Sequence, residues 1–227
     1  DHIRLIDTLC LLPKSNESLE PLIGIESGGI HTAEALLLAR YFMFIQVYLH
    51  HVRRIYDIHL QDFLINWLEE GKFKTNLNSF LGITDNEVIS AVLSSSRDKN
   101  STAYEYAKKI VYRNHFKVLY ERNPEDLKLH PEPGRAIYEA AMKKFGYTNV
   151  RHDPYYKGSG EIDFPVLCND GRIVSSLAIS KPLSNIPQAA IDYVFVDPAL
   201  RDDAKEWLER NRINILQQSS IEEREDE

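Results

Sequence analysis

One helical segment organises this protein: GGIHTAEALLLARYFMFIQVYLHHVRRIYDIHLQDFLINWL, residues Gly28–Leu68. Between Thr32 and Leu68 there is no glycine or proline, and apolar side chains recur at helical spacing. The pattern predicts one long helix, or two helices joined by a bend. Its first half, residues 35–49, is apolar nearly all round, which predicts burial on most sides. Two glycines precede the helix and allow a sharp turn, but they are weak evidence for phosphate binding.

Polar residues interrupt this apolar helix at a few positions. Arg40 and Gln46 lie in the apolar half, where a charge or an amide needs partners because unpaired burial costs several kcal/mol. A dense polar cluster follows, made of Tyr48, His50, His51, Arg53, Arg54 and Asp57. In the simplest interpretation this cluster is a solvated helix face on which both arginines bond locally to Asp57.

The overall composition excludes several classes of protein. A net charge of -7 and an isoelectric point near 5.7 argue against general binding to nucleic acid or to anionic membranes. The two cysteines, Cys10 and Cys168, form no CxxC motif, so neither a zinc knuckle nor a disulfide framework is expected. The apolar run at residues 35–45 is too short to span a bilayer. A cytoplasmic protein with no membrane segment is therefore expected.

The remaining sequence predicts an α+β fold with two ordered regions. Residues 1–114 are mostly helical around the long helix, and Thr84 with Glu87 has the capping-box pattern that begins another helix. At about His115 the periodicity changes from helical to alternating, so residues 115–215 are expected to form a small antiparallel α+β domain. Its expected elements are strands at 116–120, 150–155 and 191–196, a helix at 133–145 and a helix that ends near Asn211. Residues 14–19 are expected to form a polar loop, and residues 155–160 are considered as a mobile loop, with a plain connecting loop as the simpler interpretation. The expected hairpin pairs residues 162–167 with 172–179 through Asp170-Gly171. Residues 216–227 are expected to be a disordered acidic tail.

The long helix also carries a resemblance to a known family. The run ESGGIHTAEALLLARYFMFIQVYLHHVRRIYDIHLQDFL resembles the helix that follows the metal site of HD-superfamily phosphohydrolases, a group that includes deoxynucleoside triphosphate triphosphohydrolases. The similarity rests on Arg40-Tyr41 and on the VY.H pattern of Val47, Tyr48 and His50. A weaker similarity continues through residues 164–167 and 170–172. The resemblance implies hydrolysis of phosphate esters or triphosphates of nucleotides, with a metal-activated water attacking phosphorus.

The metal-binding residues of that family are not recognisable in this sequence. The family holds one or two divalent ions with a histidine, a His-Asp pair and a further aspartate that precede the long helix. Here the adjacent His-Asp pair is His152-Asp153, which follows that helix and is taken as coincidental. The first residues, DHIRLIDTL, resemble the stretch just after the last metal-binding aspartate. We therefore expect the C-terminal part of a larger enzyme, with no metal held by this chain and a Mg- or Mn-type ion bound by the N-terminal half.

The resemblance assigns substrate-contacting roles to residues of the long helix and no catalytic residue to this chain. Tyr48 and His50 are expected to face the phosphate or sugar of a nucleotide or other phosphate ester. Arg53 or Arg54 is expected to pair with phosphate through its planar guanidinium, and spacing does not decide between them. Arg40 and Gln46 are expected to order the helix beside the metal site. Without the metal-binding half, this chain alone is expected to hydrolyse nothing.

A non-catalytic role is the alternative. The chain would then be an assembly or regulatory module that forms a homo-oligomer or docks the N-terminal catalytic half. Exposed apolar surface on the long helix would favour this interpretation, because such patches mark interfaces.

Overall fold

The computed structural model describes residues 2–12, 21–156, 163–187 and 189–225, with only the backbone path described for 218–225. The loop predicted at residues 14–19, the mobile loop considered at 157–160 and the strand residue Ile162 lie outside this description. The chain divides into two compact units. Unit 1 comprises Asp1–Tyr48 and Tyr156–Ala190, and unit 2 comprises Leu49–Tyr155 and Ile191–Glu227.

Helices make up most of the regular structure, which confirms the predicted α+β class. The helices are α1 (His2–Asp7), α2 (Ile30–Met43), α3 (His51–Trp67), α4 (Leu77–Leu81), α5 (Asp85–Ser95), α6 (Tyr104–Val111), α7 (Pro133–Phe145), α8 (Ser176–Ile179), α9 (Lys181–Ser184) and α10 (Arg201–Glu225). The strands are β1 (Leu9–Leu11), β2 (Ile23–Glu26), β3 (Lys117–Glu121), β4 (Val150–Tyr156), β5 (Pro165–Leu167), β6 (Ile173–Ser175) and β7 (Ala190–Val196).

Unit 1 contains a four-stranded sheet in the order β1-β2-β5-β6. The pairs β1/β2 and β5/β6 are antiparallel, whereas β2 and β5 run parallel. The predicted hairpin is present as β5/β6, and Gly171 at its turn has φ +82°. Its second arm is shorter than predicted, because Ser175 caps a helix that begins at Ser176. Ile25, Ala33 and Val166 form the small core between the sheet and α2.

Of the two glycines before α2, Gly29 is required by close packing, whereas Gly28 is not. A Cβ atom on Gly29 would lie 2.1 Å from Thr8 Oγ1 and 2.7 Å from Thr8 Cβ, whereas one on Gly28 would meet nothing within 4 Å. The Thr8 hydroxyl donates to the carbonyls of Arg4 and Leu5 at the end of α1. Gly29 therefore permits close approach of α1, and this contact accounts for it without a bound phosphate.

Unit 2 contains a three-stranded sheet in the order β3-β7-β4. Its core joins these strands to α7 and α10 through buried residues that include Ile137, Val150, Val194 and Leu208. A second core packs α3 against α5 and α6 around Phe63. The predicted capping box at Thr84 and Glu87 is present and begins α5. The strands predicted near residues 116–120, 150–155 and 191–196 are confirmed as β3, β4 and β7.

The observed units differ from the segments suggested by periodicity. The expected boundary at residues 114/115 falls inside unit 2, and the β5/β6 hairpin belongs to unit 1 with the first two strands. Helix α10 continues to Glu225 rather than ending near Asn211, so its backbone includes most of the expected tail at 216–227. Periodicity reports local backbone conformation, whereas the units depend on which distant segments pack together.

The long helix is interrupted and less buried than its composition predicts. Helix α2 is followed by a π-helical turn, Phe44–Tyr48, and α3 begins at His51 after an extended residue at His50. Within α2 only Ala33 is buried. None of the described helices is by itself long and apolar enough to cross a membrane. The segments Ser27–Tyr48 and His51–Trp67 reach the necessary length and apolar composition only when they are taken together.

Candidate functional site

The candidate residues of unit 1 lie near the C-terminal end of α2 and on the π-helical turn. The Arg40 guanidinium carbon lies 5.5 Å from the centre of the Phe44 ring. Phe44 in turn makes an edge contact with Tyr48, with ring centres 5.3 Å apart. Arg40, Gln46 and Tyr48 are all exposed. The buried partners expected for Arg40 and Gln46 are therefore not required, because solvent hydrates both groups.

His50 forms the break that precedes α3. Its backbone is extended, with φ −60° and ψ 132°, and its Nδ1 accepts a hydrogen bond from the backbone N–H of Val52 at 3.3 Å. This contact caps one of the free amides at the start of the helix. The accepting role places the imidazole proton on Nε2, which can donate outward because His50 is exposed. His50 is therefore suited to donate to a phosphate or hydroxyl oxygen.

The structure shows that the adjacent residues Arg53 and Arg54 have different surroundings, which sequence spacing could not decide. Arg54 donates from Nε and Nη2 to the two oxygens of Asp153 at 2.7 and 2.5 Å. This hydrogen-bonded pair raises the pKa of Arg54 above its ordinary value, and the Asp153 side chain is only 7% exposed. Arg53 Nη1 instead lies 3.3 Å from Oδ2 of Asp57 on the same helix, and the Arg53 side chain is 49% exposed. Arg54 is therefore part of the scaffold, while Arg53 is accessible to a ligand.

The residues His152 and Asp153 have separate structural roles. His152 Nε2 lies 2.7 Å from Oδ1 of the buried Asp192, and its ring stacks on Tyr138. Asp153 holds Arg54, as described above. Within the described ranges no three His, Cys, Asp or Glu side chains come together in a group that could hold a metal ion. The described residues therefore do not fit the metal site of HD enzymes.

A buried histidine of α3 was not predicted from the sequence. His59 is 1% exposed, and its Nε2 accepts a hydrogen bond from the backbone N–H of Phe116 at 3.1 Å. Its Nδ1 is buried without a hydrogen-bond partner. The spacing could have revealed it, since His59 lies four residues from both Ile55 and Phe63 on the buried stripe of the helix. It is a core residue rather than a ligand.

Comparison with known protein families gives a match over most of the chain. Residues 1–139 match the family described as "HD associated region". This match covers the long helix and confirms the association with HD-superfamily phosphohydrolases that the sequence suggested. No curated protein matches the chain.

Two solved structures resemble the chain. A hypothetical protein from Aquifex aeolicus is 28% identical with a TM-score of 0.72, over 92% of this chain and 51% of that one. A phosphohydrolase from Bacteroides thetaiotaomicron VPI-5482 is 18% identical with a TM-score of 0.58, over 86% of this chain and 55% of that one. At 18% identity, the similarity to the Bacteroides protein concerns the fold alone. The present chain thus spans about half the length of each of these proteins.

Proposed function

The chain belongs to the HD associated region family, and from this premise we propose that it forms the substrate-contacting part of a metal-dependent HD-type phosphohydrolase that acts on nucleotides. The divalent ion, of Mg or Mn type, is held by residues outside the present sequence, and this chain alone is inactive. The phosphohydrolase from Bacteroides thetaiotaomicron is consistent with the reaction class through its shared fold. The nucleotide substrate is inferred from the sequence resemblance.

The observation that carries this proposal is the different environment of two adjacent arginines. Arg54 is fixed by Asp153, whereas Arg53 presents a half-exposed guanidinium in the first turn of α3. A planar guanidinium forms paired hydrogen bonds with phosphate oxygens. His50, at the cap of the same helix, donates from Nε2, and the Tyr48 hydroxyl contacts phosphate or sugar. Arg40, in the last turn of α2, and Gln46, on the π-helical turn, order the helix beside the metal site of the complete enzyme.

Substitution of Arg53 is expected to lower hydrolysis by the complete protein. In Arg53→Met, kcat/KM for nucleotide hydrolysis with magnesium or manganese should fall about 100-fold, because one hydrogen-bonded charge contact to phosphate is worth about 1.5 to 3 kcal/mol. The matched control is Arg97→Met, which removes an exposed arginine elsewhere in unit 2 and should retain full activity. Unchanged kcat/KM in Arg53→Met, or complete-protein preparations with no hydrolase activity, would contradict the proposal. Intact mass of the native protein establishes which form is complete.

The second candidate function is assembly, and the exposed apolar residues of unit 1 favour it. Leu36, Phe42, Met43 and Val47 are each 45–52% exposed. The neighbouring surface contains an apolar cavity of about 220 Å³ lined mainly by α1, β1, β2 and α2. Exposed apolar area of this kind is typical of an interface. The occupant is a second copy of the chain or the N-terminal catalytic half.

Assembly makes its own prediction. Phe42→Glu with Met43→Glu should shift the chain to the monomer in sedimentation equilibrium, because two charges would be desolvated at the interface. The matched control places the same charges at Leu77 and Asn78, which are exposed in unit 2. A wild-type chain that is monomeric at all concentrations, and that does not bind the N-terminal half, would exclude this function.

A further inference from the structure

One lysine of unit 2 lies in surroundings that differ from those of an ordinary surface lysine. Lys109 is in α6, and its Nζ lies 4.4 Å from the centre of the Phe116 ring and 6.0 Å from the centre of the Tyr106 ring. Phe116 is only 1% exposed, so the amine rests against a fully buried ring. Lys109 itself is partly exposed, which leaves it within reach of a small reagent.

No carboxylate forms an ion pair with Lys109 in the part of the chain that the structure describes. The acidic groups that favour its charged form act from a distance, and each is already engaged. Asp62 bonds to Arg151, Glu105 pairs with Lys108, and Asp197 accepts from the backbone N–H of Ala199. The positive charge of Lys109 therefore lacks the direct compensation that most partly buried cations have.

A second cation lies near this amine. The Arg151 guanidinium carbon is 5.7 Å from the centre of the same Phe116 ring. His59 makes an edge contact with that ring at 5.1 Å, and it stays neutral near pH 7 because burial lowers its pKa to about 3. Burial, followed by the charge of Arg151, lowers the pKa of Lys109. A larger share of this amine is thus neutral, and therefore nucleophilic, than at an exposed lysine.

We infer that Lys109 is a covalent modification site that accepts a small acyl group from an acyl thioester. The neutral Nζ attacks the carbonyl carbon of the thioester, and a C–N bond forms while the C–S bond breaks. The leaving thiolate takes up the proton that the nitrogen gives up. The products are an amide on Lys109 and a free thiol. The inference does not depend on hydrolysis by the complete protein.

Acylation would change the contact between α6 and the buried ring. An amide carries no charge, so the cation–π contact of Lys109 with Phe116 would be lost, while the aliphatic part of the side chain remains. The backbone N–H of Phe116 donates to His59 of α3. The modification would therefore act where α6, α3 and the segment before β3 meet.

The neighbouring Lys108 provides the control for a test. Both lysines are partly exposed on the same helix, but Lys108 Nζ lies 3.5 Å from Glu105. The whole chain would be incubated with S-acetyl-N-acetylcysteamine, a simple thioester, and acetylation at each lysine would be followed by tandem mass spectrometry. Near neutral pH, Lys109 should react at least about threefold faster than Lys108, because its neutral fraction is larger. In concentrated urea the two rates should become equal.

Two variants test the surroundings assigned to Lys109. Asp197→Asn removes a carboxylate that raises the pKa of Lys109, and its side chain can still cap the amide of Ala199. Acetylation of Lys109 should therefore become faster. Arg151→Gln removes the cation that lowers this pKa, so acetylation should become slower. Neither variant should change the rate at Lys108, and Asp197→Asn remains informative should Arg151→Gln unfold.

Each outcome has a defined meaning. Faster acetylation of Lys109 than of Lys108 in the folded chain, lost in urea, supports the inference. Equal or slower acetylation of Lys109 in the folded chain, or a preference that persists in urea, would overturn the site. An unchanged rate at Lys109 in Asp197→Asn would overturn the electrostatic reason given for its reactivity. Hydrolysis by Arg53→Met is measured separately and does not bear on these results.

Discussion

Arg54→Met should destabilise unit 2 by about 3 to 5 kcal/mol, whereas Arg53→Met should change its stability by no more than about 0.5 kcal/mol. The reason is the environment of the acidic partner. Asp153 is buried on β4, and loss of Arg54 would leave its charge without the two hydrogen bonds of the pair. Asp57 is 45% exposed and remains hydrated when Arg53 is removed.

Chemical denaturation of the two single variants provides the measurement, and each variant serves as the control for the other. The double variant Arg54→Met with Asp153→Leu should recover much of the lost stability, because it removes both charges and keeps apolar volume. Equal stability of Arg53→Met and Arg54→Met would show that the Arg54–Asp153 pair does not support the fold. It would also remove the structural reason for assigning phosphate contact to Arg53.

Acidification should destabilise unit 2 through His59. Burial lowers the pKa of His59 to about 3, with smaller contributions from Lys109 and Arg151. The unfolded chain takes up this proton near pH 6.5, so the folded state binds fewer protons between about pH 6.5 and pH 3. The stability that depends on neutral His59 is therefore fully present above pH 6.5 and is lost as the pH falls. This loss of unfolding free energy reaches up to about 5 kcal/mol at the acid end of that interval.

The variant His59→Gln isolates this effect. Its side-chain carbonyl can still accept from the Phe116 N–H, but it does not titrate. The free energy of unfolding of His59→Gln, measured from pH 8 to pH 4.5, should fall less steeply than that of the wild type. Some slope should remain, since burial also lowers the pKa of His51 and His115. The control His2→Gln changes an exposed histidine of α1, far from unit 2 in sequence, and should preserve the wild-type slope. Identical slopes for His59→Gln and wild type would refute the role of His59.

Much of the secondary structure could be predicted because its signals are local. The helix at residues 133–145 follows from a proline at its start and a glycine after its end, and α7 has these bounds. The capping box at Thr84 and the Asp-Gly turn of the hairpin were likewise identified from neighbouring residues. These patterns act within a few residues, so the amino-acid order specifies them directly.

The association with HD-type phosphohydrolases could also be derived from the order of residues in the long helix, and the family match confirms it. The roles of Tyr48, His50 and Arg53 in substrate contact stay predictions. The sequence also predicted burial of α2, because an apolar segment lowers its free energy by leaving water. Within the described residues no element covers Leu36 and Phe42, which are about half exposed.

The sequence by itself thus determined the elements, the α+β class and the family, whereas tertiary structure decided which side chains meet. Arg54 and Asp153 are separated by 99 positions, and Lys109 of α6 meets the same Phe116 ring as Arg151 of β4. The tertiary structure also joined the β5/β6 hairpin to the N-terminal strands. Periodicity carries no information about such distant pairings, because they depend on the packing of whole elements around a common core. That packing fixes Arg54 in the scaffold and leaves Arg53 accessible.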